Sequence, residues 1–309
     1  MSGLIGAAGG GGGCWGMIWS CIHPTPRRHL PKISPIPPHP FLFHRTVPPR
    51  PLFQSVPRTV SRPPLVVAST PPLLQDAAAT TALFSSAYFL VLAFDKLTES
   101  RIIRQSLSRK LVHILSGLLF AASWPFFSDS VHARYFAALV PLANFFRLLI
   151  HGLSLAADDT LVTSLTREGN PKELLRGPLY YVVVLLVSTT VFWRESPVGV
   201  VSVAMMCGGD GIADIIGRRY GFQKLPYNPH KSWLGSISMF ICGSLISAGM
   251  LYCFTSLGCF SLDWSSALQR VLLVSLVATI VESLPITETL DDNLSVPLAS
   301  MVTALMIFG

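Results

Sequence analysis

Charged side chains are scarce in this chain: they form 13% of its 309 residues, about half the share of a soluble globular domain. Half of the residues are hydrophobic, and the mean hydropathy is +0.53. Those figures exclude an ordinary cytosolic enzyme and indicate a membrane protein. Acidic residues are missing altogether from residues 1–75, which carry seven basic ones. The net charge of +7 therefore resides in that stretch, and the remainder holds sixteen charges of each sign. A pI near 9.3 is thus no sign of nucleic-acid binding, because the body of the chain has no basic excess. CxxC pairs and Cys/His ligand spacing are also absent. So are the Walker A motif and the HRD and DFG motifs of soluble kinases. Of the six cysteines, Cys14 and Cys21 lie in the basic leader. Cys207, Cys242, Cys253 and Cys259 lie in or beside apolar segments and are expected to be small buried hydrophobes.

The leader also holds 15 of the 24 prolines and a glycine run from Gly9 to Gly13. Such a stretch buries too little apolar surface to offset the entropy of ordering it. Basic, free of acid and rich in Ser, Thr and Pro, it reads as an organellar transit peptide rather than a disordered cytosolic tail. A secretory signal would need a continuous apolar core, and the prolines oppose the amphipathic helix of a mitochondrial presequence. The expectation is a chloroplast transit peptide over residues 1–68, cleaved between Val66 and Thr70.

From Ala77 onward, apolar runs alternate with short polar breaks, at 77–94, 111–127, 134–155, 179–193, 198–216, 233–257, 271–286 and 294–308. Several fall short of the roughly 20 residues that span a bilayer, so six to eight crossings are expected. The spans are helices, since an open sheet leaves backbone groups unsatisfied in lipid. The fold class is an all-α polytopic membrane bundle. The odd-numbered breaks and their edges contain twelve basic residues, among them Arg109, Lys110, Arg218 and Lys231; the even ones contain only Arg134, Arg194 and Arg270. This asymmetry places the odd breaks on the inner side, the stroma for an inner-envelope or thylakoid protein.

Three polar clusters carry chemistry. Asp210 and Asp214, four residues apart within Gly208-Gly209-Asp210-Gly211-Ile212-Ala213-Asp214, share a helix face. Ionised Asp inside a span is costly and demands compensation. A divalent metal such as Mg²⁺ supplies it, and so does pairing with Arg218 and Arg219; the local sequence leaves both open. Gly208, Gly209, Gly211 and Gly217 admit either a ligand or a packed neighbour. The second cluster is Lys231-Ser232 at the start of the sixth span. Ser232 is expected to cap that helix, setting free amides and the positive helix end beside Lys231, which suits phosphate. The third is Glu282 inside the seventh span, followed by Glu288, Asp291, Asp292 and Asn293; Asp291 on its own reads as a helix cap. All three clusters fall at odd breaks, on one side of the membrane. Acids for a metal and basic groups for phosphate, gathered at one interface, point to phosphoryl or nucleotidyl transfer to an acceptor that arrives from the lipid.

These residues resemble the polyprenol kinase family, which includes dolichol kinases and plastid phytol and farnesol kinases. The likeness is carried by Gly209-Asp210 with Ala213, Gly217 and Gly221, by Lys231-Ser232 with Gly235-Ser236, and by Glu282 with Asp292-Asn293. Arg109-Lys110-Leu111-Val112-His113 adds an N-terminal match. The resemblance covers residues 76–309, and the stretches 106–117, 205–210 and 284–287 are most similar to the plastid phytol kinase branch. It implies an integral membrane kinase that moves the γ-phosphate of CTP to the hydroxyl of phytol. Phytyl phosphate would then feed tocopherol synthesis and phytol salvage from chlorophyll. In that reading Asp210 and Asp214 hold Mg²⁺. Lys231, Ser232, Gly235, Arg218, Gly209 and Lys110 bind the nucleotide, and Glu282 or Asp292 orients the alcohol. His113, one turn from Arg109, either contacts phosphate or is an interfacial histidine satisfied by backbone. A farnesol or geranylgeraniol kinase is the alternative within the family. A CDP-alcohol phosphotransferase lacks support because the GxxxDxxxD spacing is missing. A transporter of phosphorylated metabolites is the alternative from another class.

Overall fold

A computed structural model describes residues 71–156, 159–166, 169–285 and 290–309. The expected leader, Glu288 and Arg167, one of the twelve basic residues of the odd breaks, lie outside the described residues. Among the described residues, eight helical rods follow one another, with a single small hairpin as the only sheet. Six rods are long and apolar enough to cross a membrane. The first is α1 (Pro72–Glu99), and α2 (Gln105–Ser123) and α3 (Ala133–Gly152) follow. After the short α4 (Asp159–Leu165), the next rod runs from Pro171 to Phe192 and contains α5 (Gly177–Val187). A rod from Pro197 to Tyr220 comprises α6 (Pro197–Ala204) and α7 (Gly211–Tyr220), joined by a π-helical segment, Met205–Asp210. The hairpin β1 (Lys224–Leu225) and β2 (Asn228–Ser232) leads into α8 (Trp233–Ser256), α9 (Trp264–Ser283) and α10 (Asp292–Phe308).

The rods coincide with the eight apolar runs, but their ends are set by capping chemistry rather than hydropathy. The first helix starts at Pro72 instead of 77, because proline needs no donor in a first turn. The seventh run, expected over 271–286, begins at Trp264. There the Asp263 carboxylate accepts hydrogen bonds from the Ser265 and Ser266 amides, each 3.4 Å. It stops at Ser283, two residues before Pro285, which cannot continue a helix. Cys207 is buried as expected, whereas Cys253 is exposed on the outer face of α8. An apolar thiol is comfortable there because the surroundings of a membrane helix are lipid.

The rod Pro197–Tyr220 is the centre of the bundle: 78% of its apolar window is buried, against 11% for α1. It crosses α8 through two glycine pairs. A Cβ on Gly243 would lie 3.4 Å from the Gly209 Cα, and one on Gly235 would lie 3.4 Å from the Gly217 Cα. The eight-residue spacing is the same on both helices, and small residues at these points let the two backbones approach closely. Gly208, Gly209 and Gly211 thus serve helix packing, whereas Gly217 both meets α8 and lines the cavity. Gly208 and Gly211 are covered by Ile246 and Ile114.

At the even-break end, buried charges knit α1, α2 and the α5 rod together. The Asp76 carboxylate accepts from the Ser128 amide (2.7 Å), the Ser128 hydroxyl (2.8 Å) and the Ser130 hydroxyl (3.1 Å). Arg194 is buried and donates to the Phe127 and Ser128 carbonyls at 2.6 and 2.8 Å and to Asp129 Oδ1 at 2.6 Å. Every carbonyl it reaches closes the turn after α2, so this loop is fixed from both sides.

The glycine crossing yields a paired prediction. Gly243→Leu places side-chain atoms where a Cβ already lies 2.7 Å from Met205 Sδ, and overpacking of this kind costs about 1–3 kcal/mol. Gly249→Leu, on the same helix with nothing within 4 Å of its Cβ position, leaves stability unchanged. Thermal unfolding of the two detergent-solubilised variants checks this; equal melting temperatures would contradict the close crossing.

Candidate active site

The π-helical segment ends on Asp210, and all six of its residues are buried. A π turn inserts an extra residue and often marks a functional position. Here it delivers Asp210 to the head of a cavity of about 1560 Å³. Glu282 arrives from the last turn of α9 and Asp292 from the first residue of α10. One carboxylate oxygen from each of Asp210, Glu282 and Asp292 lies within 4.8 Å of the others.

Lysines from two further elements meet these acids. Lys231 Nζ sits between Glu282 Oε1, in direct contact, and Asp292 Oδ2 at 2.8 Å. Burial alone would lower the pKa of Lys231, but Glu282, Asp292 and Asp210 raise it above the ordinary lysine range, so the ammonium stays charged. Lys110, from the first turns of α2, bridges Asp210 (3.6 Å) and Asp214 (3.4 Å). Arg218 donates to Asp214 Oδ1 at 2.6 Å.

The hairpin that carries Lys231 is itself anchored. Asn228 is buried, and its amide donates to the Ser283 and Leu284 carbonyls at 3.0 and 3.2 Å. Those carbonyls belong to the end of α9, where a helix leaves acceptors unsatisfied. Tyr227 bonds the Ser283 hydroxyl at 3.0 Å. The residue that steadies Glu282's helix end therefore also fixes Lys231 three positions later. Ser232 caps α8 by accepting from the Gly235 amide at 3.1 Å, and Asp291 caps α10 through the Asn293 amide at 2.9 Å.

Of the residues singled out in the sequence, Asp210, Asp214, Glu282, Asp292, Lys110, Arg218, Lys231, Ser232 and Gly235 all line the one cavity. Gly209 does not line it; it packs on Gly243 behind the wall. The acids also group differently from the expected Asp210–Asp214 pair. Both Asp214 oxygens are engaged, by Arg218 and Lys110, whereas Glu282 Oε2 and Asp292 Oδ1 are buried without a hydrogen-bond partner among the described residues. Orphaned buried carboxylate oxygens in a cluster of three acids this close fit a divalent cation. His113 also lines the cavity, its ring centroid 4.3 Å from that of Tyr181. Asn228 and Tyr227 escaped the sequence reading: a short amide-bearing break carries no periodicity, and only the fold reveals the helix end it meets. Beyond the charges the cavity turns apolar, bordered by Phe84, Tyr88 and Val91 of α1 and Val140 of α3.

A polytopic helical membrane protein whose buried acid–base centre opens into an apolar arm belongs among enzymes that bring a water-soluble reactant to a lipid one. No family model and no solved structure matches the chain. Curated relatives do. The probable phytol kinase 1, chloroplastic, of Glycine max is 56% identical over 296 residues, 94% of this chain and 97% of that protein. The phytol kinase 1, chloroplastic, of Arabidopsis thaliana is 60% identical over 241 residues, 78% of this chain and 79% of its own length. A probable phytol kinase 1 of Oryza sativa subsp. japonica is 60% identical over 245 residues, 79% and 78% of the two chains. The chain belongs to the phytol kinase family, a family of alcohol kinases. That membership sets aside the CDP-alcohol phosphotransferase and transporter alternatives.

The ion pairs differ in what they hold. Lys231→Ala leaves Glu282 and Asp292 facing each other in a buried site and is expected to cost about 3–5 kcal/mol. The Arg218 side chain is 57% exposed, so Arg218→Ala costs no more than about 1 kcal/mol. Thermal unfolding in detergent separates them; equal effects would show that Lys231 is not the cluster's main support.

Proposed function

We propose that the chain phosphorylates phytol, moving the γ-phosphate of CTP onto its hydroxyl at a chloroplast membrane. The observation that carries this reading is the convergence of Asp210, Glu282 and Asp292 around Lys231 at the head of a cavity with an apolar arm. The curated relatives' names, phytol kinase and chloroplastic, support the acceptor and the compartment. Residues 1–68 act as the transit peptide and residues 76–309 as the kinase domain. The site faces the stroma, from the inner envelope or the thylakoid.

Asp210 and Glu282 hold Mg²⁺, which prefers one or two carboxylates plus phosphate oxygens. When bound, the cation neutralises charge on the triphosphate. Asp214 has a different role, positioning Lys110 and Arg218, whose charges draw the nucleotide's phosphates into the cavity. Lys231 and the positive N-terminal end of α8 stabilise the charge that builds as the β–γ bridging bond breaks. Asp292 orients the alcohol. Its orphaned Oδ1 accepts the hydroxyl proton while the alcohol oxygen bonds to the γ-phosphorus and CDP departs. An alcohol is weakly acidic, so alignment and charge neutralisation contribute more than a strong base in a loose phosphoryl transfer.

Detergent-solubilised protein supplied with γ-labelled CTP and phytol is expected to yield labelled phytyl phosphate without sealed vesicles. Asp210→Asn is expected to lower that rate at least a thousandfold while the protein accumulates normally. Wild-type turnover in Asp210→Asn would remove Asp210 from the centre. Labelling with ATP and not with CTP would overturn the donor assignment.

A further inference from the structure

The apolar arm of the cavity has a register of its own. α1 presents Phe84, Tyr88 and Val91 to it, and α3 presents Val140, Asn144 and Arg147. Each α3 residue lies 56 positions beyond its α1 counterpart, and the same separation holds across one more pair, a 3.1 Å hydrogen bond from Thr80 Oγ1 to the Phe136 carbonyl. That bond sits one turn below Phe84 on α1 and one turn below Val140 on α3. Further down, the Asp76–Ser128 contacts tie the start of α1 to the loop that leads into α3. The two helices are thus parallel, joined at their starts and lined turn for turn by the cavity above the joint.

This geometry makes a groove with a floor. Phe84 and Val140 form the floor, and Asp95, eleven residues above Phe84, is the last residue of α1 that lines the cavity, about 16 Å away at the rise of a helix. Arg147 marks the upper limit of the arm, level with Val91; below it, no ionisable side chain other than the Tyr88 phenol occurs between Phe84 and Val91 or between Val140 and Asn144, so this lower part suits a hydrocarbon chain and not a charged headgroup. Tyr88 is 63% exposed and Leu92 43%, which leaves the outer wall facing lipid, from which a membrane-dissolved chain reaches the groove sideways.

Resting on the proposed alcohol kinase activity, we infer that the α1–α3 groove holds the acceptor's isoprenoid chain, with Phe84 and Val140 setting the longest chain it accepts. The hydroxyl lies at the charged head, and the methyl-branched tail runs toward the Thr80–Phe136 joint. Chain length is therefore read by distance to a closed end, and neither residue touches the reacting atoms.

The test compares farnesol, geranylgeraniol, phytol and an alcohol one isoprene unit longer than geranylgeraniol, with CTP, in detergent. Val140→Phe raises the floor and is expected to lower kcat/KM for phytol at least tenfold relative to farnesol, with KM for CTP unchanged. Phe84→Ala lowers the floor. The Phe84 side chain is 39% exposed, so this variant folds even where the larger ring of Val140→Phe is not tolerated. It is expected to raise kcat/KM for the longest alcohol at least threefold relative to phytol. Ratios within twofold of wild type in Phe84→Ala would overturn the groove while leaving the kinase activity intact. A wild-type protein that phosphorylates none of the alcohols would overturn the kinase reading itself, and the groove with it.

Discussion

Carboxylates buried near the edge of a membrane bundle persist only where cations reach them, and Lys231 meets that requirement from between Glu282 and Asp292. Much of the local structure brings that one ammonium into place. The hairpin supplies its backbone, Asn228 and Tyr227 fasten the hairpin to the end of α9, and Ser232 begins α8 one residue later. On the other flank Lys110 balances Asp210 and Asp214. A cluster assembled this way holds acids close together before any phosphate or metal arrives. Preorganisation of this kind is what electrostatic catalysis of phosphoryl transfer requires.

The two ends of the bundle do different work with similar chemistry. At the even-break end, Asp76 and Arg194 have every strong bond directed at the loop after α2, and they serve to hold helices together. At the odd-break end, Glu282 and Asp292 each keep one oxygen without a partner among the described residues. Fully satisfied buried ions are a structural device; partly satisfied ones, lining a cavity, are where a ligand's charge belongs. Between the ends, the central rod crosses α8 closely on either side of Asp210, and α1 and α3 line the apolar arm above the Thr80–Phe136 joint.

Much of this was legible in the sequence. Eight apolar runs became eight rods, and the acids and Lys231 fell at the same end because odd-numbered breaks of an alternating bundle share a side. Ser232 and Asp291 were readable as caps from residue type and position alone. Other features were not legible, for physical reasons. Spacing places Asp210 and Asp214 on one helix face, but cannot say that Lys110 and Arg218 occupy both Asp214 oxygens while Glu282 Oε2 has no partner among the described residues. A glycine-rich stretch admits ligand or helix equally, and only the fold shows Gly209 packed on Gly243 while Gly217, against Gly235, also lines the cavity. The π turn before Asp210 has no composition signature, and the 56-residue register of α1 and α3 depends on which rods are neighbours.

Metal binding distinguishes the arrangement most directly, because residue spacing suggests Asp210 with Asp214 as the ligands and the proposed mechanism assigns Asp210 with Glu282. Mn²⁺ binding to the detergent-solubilised full chain in the presence of CTP, followed by electron paramagnetic resonance, reports which acids hold the cation. The account predicts one bound ion per chain that is lost in Asp210→Asn and in Glu282→Gln and retained in Asp214→Asn. Retention in Glu282→Gln together with loss in Asp214→Asn would contradict it.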